Sequence, residues 1–201
     1  MRKFLSYLAL GLIVVLAGTI IALTFISKDY NINLNNPDGM KVYVNNTSSV
    51  TYIKNDADNA DNAKIYNELL KKYNASYKQK IMSGLFQGIL GDNAEIVKIS
   101  GTSKTSALSG GTYLCFEYNE VQTLKLNGKV YQHKLSDNSL ADPVQYKNVY
   151  IEVKDSSSMT DINVYIQSID PQGNSQDYFY YKFVVKASQA DLYDYIKSLE
   201  N

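Results

Sequence analysis

The sequence predicts an N-terminal transmembrane helix followed by one α+β domain, in which a mainly antiparallel β-sheet is packed by one long or split helix and a short C-terminal helix. Three observations predict it. Phe4 to Ile26 is almost entirely apolar, apolar residues recur in steps of three and four from Asn62 to Leu90, and from Ala94 onward the period falls to two. The first pattern is a span, the second a helix with one buried side, and the third a run of half-buried strands.

The span carries no charge between Lys3 and Lys28. At a rise of about 1.5 Å per residue, about 20 apolar residues cross a hydrocarbon core of about 30 Å. A cleaved secretory signal has an apolar region of only about 7–15 residues. Val15-Leu16-Ala17 would pass as its cleavage site, but Thr19 to Ile26 continues apolar beyond it. The reading is therefore an uncleaved signal-anchor, with secretion after cleavage as the alternative. Leu16-Ala17-Gly18 resembles a bacterial lipobox, yet Thr19 stands where acylation needs a thiol. Arg2 and Lys3 precede the span while Lys28 and Asp29 cancel behind it, which puts the N-terminus in the cytoplasm and the rest outside. The expected organisation is residues 1–27 as cytoplasmic start and single-pass signal-anchor, 28–40 as spacer, and 41–201 as the extracytoplasmic domain. The lipid bilayer, met through Phe4 to Ile26, is the first expected partner.

Composition narrows the rest. The 20 basic and 20 acidic side chains balance, whereas a domain that neutralises several phosphates needs a clustered basic excess, so nucleic acid is not an expected partner. Cys115 is the only cysteine and His133 the only histidine, which leaves neither an internal disulfide nor a structural zinc set. No metal and no cofactor is expected. Heavy use of Lys, Asn and Tyr, with Arg2 the only arginine, points to an AT-rich bacterial genome.

Behind the span, Tyr30 to Leu34 reads as extended chain and Asn35-Asn36-Pro37-Asp38-Gly39 as a turn. Lys41 to Val44 and Val50 to Lys54 read as short strands. Asp56, Asp58 and Asp61 fail as a calcium loop, because Ala60 occupies the fifth position and Asp61 the sixth, where the sharp turn wants Gly. They succeed as a helix start, where Asp and Asn accept hydrogen bonds from free N–H groups. The helix that follows, Asn62 to Leu90, has Asn74-Ala75-Ser76 as a point where it kinks or splits. The strands then expected are Ala94 to Ser100, Thr112 to Asn119, Val121 to Leu126, Lys129 to His133, Tyr146 to Lys154, Thr160 to Gln167 and Gln176 to Lys186. Leu126-Asn127-Gly128-Lys129 is a two-residue hairpin turn, and the last three strands make a meander. Ser188 and Asp191 are spaced as a capping box for a final short helix bearing Leu192, Tyr195, Ile196 and Leu199.

Alternation along the last three strands sorts two sides. Val149, Ile151 and Val153, then Ile162, Val164 and Ile166, then Phe179, Tyr181, Phe183 and Val185 point one way, toward the helices. Tyr150, Tyr165, Tyr178 and Tyr180 point the other way, with Glu152, Asn163 and Lys182 among them. A Tyr-rich sheet side offers flat apolar rings with a hydroxyl tip, which suits a protein or cell-wall partner, so these four tyrosines are the candidate binding surface.

Catalytic groups are sparse. Cys115 and His133 can be written as a nucleophile and its base, but the outer domain lacks an Arg to stabilise an oxyanion. No catalytic residue is assigned. These readings make the chain a membrane-anchored, extracytoplasmic binding or scaffold protein without catalysis, with a Cys115–His133 enzyme as a minor alternative. The order of a strand, a long helix, antiparallel strands and a short helix resembles the helix-grip lipid-binding folds and the outer domains of single-span secretion components. The first resemblance implies a further alternative, a carrier of an apolar ligand such as a lipid between helix and sheet.

Overall fold

The computed structural model describes residues 11, 34, 36–45, 47–48, 50–76, 95–100, 108, 110–126, 128–134, 137, 139–169 and 177–200, with 95–100, 133–134, 177–179 and 186 described as backbone only. They hold two helices, α1 (Ala60–Ser76) and α2 (Ala190–Ser198), and twelve strands. No helix among the described residues is long and apolar enough to cross a membrane. The physical reason is plain for α1: its 17 residues reach only about 26 Å at 1.5 Å per residue, and Asp61, Lys64, Glu68, Lys71 and Lys72 interrupt them. The expected transmembrane helix is corrected accordingly. With it go the signal-anchor, the single-pass topology that placed the domain outside, the bilayer partner and the membrane-anchored function. Apart from Gly11, which is helical, Phe4 to Ile26 lies outside the described residues.

The strands are β1 (Gly39–Val44), β2 (Thr47–Ser48), β3 (Tyr52–Ile53), β4 (Glu95–Ser100), β5 (Thr112–Thr123), β6 (Lys125–Leu126), β7 (Lys129–Val130), β8 (Gln132–Lys134), β9 (Leu140–Pro143), β10 (Gln145–Val153), β11 (Thr160–Ser168) and β12 (Asp177–Ala187). The main sheet runs β2-β1-β5-β10-β11-β12-β4, with β3 beside the start of β1, and every pairing is antiparallel. The meander β10–β11–β12 forms as its alternation predicts. The two strands expected at Thr112 to Asn119 and Val121 to Leu126 are joined through Glu120 into the one strand β5, with Lys125–Leu126 left as β6, and β1 begins at Gly39, inside the expected spacer.

One irregularity sets the packing. Between Tyr146 and Asn148 the pairing of β10 with β5 shifts register, and a bulge of this kind reverses which residues face the core. Tyr146 therefore joins Val149, Ile151 and Val153 on the side under the helices.

That side is the main core. Met40 and Val42 of β1, Leu114 and Phe116 of β5, Ile162, Val164 and Ile166 of β11 and Phe183 and Val185 of β12 meet Tyr66, Leu69 and Tyr73 of α1 and Leu192 and Ile196 of α2. Tyr73 sets its ring edge-on to Phe116 at 4.8 Å, and the Tyr66 hydroxyl donates to the Pro37 carbonyl at 2.5 Å. Each such buried side chain contributes about 1.5–3 kcal/mol of transfer free energy.

The helix ends are built differently from one another. Asp56 Oδ1 accepts the N–H groups of Asp58 and Asn59 at 3.1 and 3.0 Å, and Asn59 Oδ1 accepts that of Asn62 at 3.2 Å. The acidic run is thus a turn followed by a cap, as expected, with the helix starting at Ala60. The continuation expected to Leu90 lies outside the described residues. At α2 the expected capping box does not form: Gln189 is the N-cap without a side-chain cap bond, and the Ser188 hydroxyl donates instead to the Ser157 carbonyl at 2.9 Å.

Between β5 and β10 the chain inserts two small hairpins, β6–β7 and β8–β9. Leu126 pairs with Lys129 and Gly128 has φ +75°, the geometry a two-residue turn demands. A ring of backbone bonds ties the insertion together: Leu124 N–H to Val144, Val144 N–H to Tyr131, and Tyr131 N–H to Leu124, at 2.9, 3.2 and 2.9 Å. The Tyr131 ring then meets Tyr181 and Phe183 edge-on at 6.1 and 5.7 Å.

Candidate functional site: the tyrosine-bearing side of the sheet

On the side of the sheet away from the helices, Tyr113 and Cys115 of β5, Tyr150 of β10, Tyr165 of β11 and Tyr180 of β12 form a second buried cluster with Leu108, and Tyr43 of β1 packs against it. Parity places the strand residues, each of which alternates with a residue of the other side on its own strand, while Leu108 comes from the segment before β5. The register brings them into one layer. Cys115 faces Lys41 on one flank and Tyr150 on the other, and Tyr150 faces Tyr165. Ring centroids lie 5.8 Å apart for Tyr43 and Tyr150, 5.9 Å for Tyr150 and Tyr180, and 6.3 Å for Tyr113 and Tyr165.

Of the four tyrosines expected to form a surface, Tyr150, Tyr165 and Tyr180 do share this side. They are 2 %, 8 % and 0 % exposed, so the layer is interior and not a naked aromatic face. The side chain of Tyr178 is outside what is described. Sequence reasoning missed Tyr43, Tyr113, Cys115 and Leu108. The first three carried a signal, since Tyr43 sits between Val42 and Val44, and Tyr113 and Cys115 alternate with Leu114 and Phe116. That signal became readable only once β5 was known to adjoin β10, and β1 to adjoin β5.

Polar groups frame the layer in self-contained sets. Lys41 Nζ lies 3.1 Å from Glu117 Oε1, and the Thr51 hydroxyl donates to Glu117 Oε2 at 3.4 Å. Glu152 Oε2 lies 3.2 Å from Lys154 Nζ and accepts both the backbone and the side-chain N–H of Asn163, at 3.0 and 2.9 Å. Gln167 Oε1 accepts Asn148 Nδ2 at 3.1 Å and the Tyr150 hydroxyl at 3.5 Å. Burial, then the neighbouring Cys115 and Glu117, pushes the Tyr43 phenol up to about 12. Burial, then Cys115, Tyr180 and Tyr43, raises Tyr150 further. Both phenols are neutral at ordinary pH and act as hydrogen-bonding groups, not as anionic ligands.

Cys115 is 1 % exposed, and its thiol donates to the Phe116 carbonyl at 3.8 Å. Its expected partner His133 belongs to β8, in a separate two-stranded sheet with β9. The two residues thus lie in different sheets. The carboxylates nearest the layer, Glu117 and Glu152, are each engaged with a lysine. The chemistry on offer is that of neutral hydroxyls, a thiol and flat rings. No protein-family model, no curated protein and no solved structure matches the chain.

Proposed function

We propose that the domain acts by non-covalent binding and not by catalysis, and that the tyrosine-bearing side of the sheet is where it binds. The observation that supports this reading is the difference between two equally buried sides of one sheet. Under the helices β10 and β11 contribute one tyrosine, Tyr146, beside the aliphatic Val149, Ile151, Val153, Ile162, Val164 and Ile166. On the other side the same two strands contribute Tyr150 and Tyr165, beside Tyr113, Cys115 and Tyr180. A side that needed only to be covered is served best by aliphatic chains, because each buried hydroxyl costs free energy unless it is hydrogen-bonded. Tyrosine combines a rigid ring with a polar tip, the pairing used where proteins grip ligands.

The test is an NMR screen of the full chain against a library of small compounds, repeated on the double variant Tyr150→Phe/Tyr165→Phe. That variant keeps both rings and removes both hydroxyls. The expected result is a set of compounds that shift resonances of the layer in the wild type and bind at least about tenfold more weakly to the variant, which corresponds to about 1.4 kcal/mol. A library that moves no resonance of the layer, or hits that bind both proteins alike, removes the reading.

A further inference from the structure

We draw no further inference here: the strongest candidate, the surface patch where Val121 of β5, Val130 of β7 and Leu140 of β9 stand exposed around the two-hairpin insertion, carries nothing because nothing in the structure shows what covers it.

Discussion

The rings of Tyr43 and Tyr150 stand 5.8 Å apart although β5 runs between their strands. Neighbouring strands lie about 4.8 Å apart, so side chains separated by a whole strand meet only by leaning over the residue between them. Tyr43 stands opposite Tyr113 on β5 and Tyr150 opposite Cys115, so the two rings meet on a diagonal that passes Cys115, a neighbour of both. A thiol is small enough to lie beneath two converging rings, and this explains a cysteine at a position where β-branched residues are the usual strand choice.

Cys115→Leu is therefore expected to lower stability by about 1–3 kcal/mol, since extra methylenes in a filled interior force rings off their rotamers. Cys115→Ala, which only removes an atom, should cost roughly 1 kcal/mol. Urea unfolding of both variants measures this. Equal midpoints would show that the size of residue 115 does not set the spacing of the rings.

A second contact does comparable work at the other end of the domain. Gln189, fully buried, accepts the Lys154 N–H at 3.0 Å and donates to the Glu152 carbonyl at 3.1 Å, so its side-chain amide pairs with the end of β10 as a strand would. The N–H groups of Gln189 and Ala190 add bonds to the Ser156 carbonyl at 2.9 and 3.0 Å. Gln189→Leu keeps the bulk and strands two backbone groups at about 1–3 kcal/mol each. The expected loss is about 2–5 kcal/mol, with faster hydrogen exchange at Lys154. An exchange rate at Lys154 unchanged from wild type would show that the amide does not hold α2 in place.

What the sequence made legible follows the range of the forces involved. The core rows of β10 to β12 were readable because alternation is a property of one strand, and the cap at Asp56 and Asn59 because it spans only a few residues. The register shift at Tyr146, the unbroken run of β5 through Glu120 and the short strand β9 depend on which strand lies alongside. Nothing in Leu140 to Pro143 announces that partner. The Ser188 capping box was overridden by a longer-range contact, the one Gln189 makes with β10. For the candidate site, parity placed Tyr150, Tyr165 and Tyr180 on one side but said nothing of cover, because burial of a sheet side is decided by segments remote in sequence.

The tyrosines also predict how the fold responds to alkali. Burial pushes Tyr43, Tyr66 and Tyr146 from the ordinary 10.0 up to about 12, and raises Tyr118 and Tyr150 beyond that. A folded-state value above the unfolded one means that the folded chain keeps a proton the unfolded chain gives up. The stability this contributes is whole below pH 10 and is lost as pH rises toward 12, because over that window the unfolded state binds fewer protons. The chain contains no Trp, so phenolate absorbance near 295 nm reports tyrosine alone. The expected titration has two parts: a gradual rise centred near pH 10 from exposed rings, then a steeper step toward pH 12 that coincides with loss of far-ultraviolet circular dichroism. Removing the hydroxyl with Tyr150→Phe should shrink the second step and move it to higher pH. A single smooth curve centred at pH 10 with the dichroism intact would mean that the layer is open to hydroxide, and the interior placement of these rings would then be wrong.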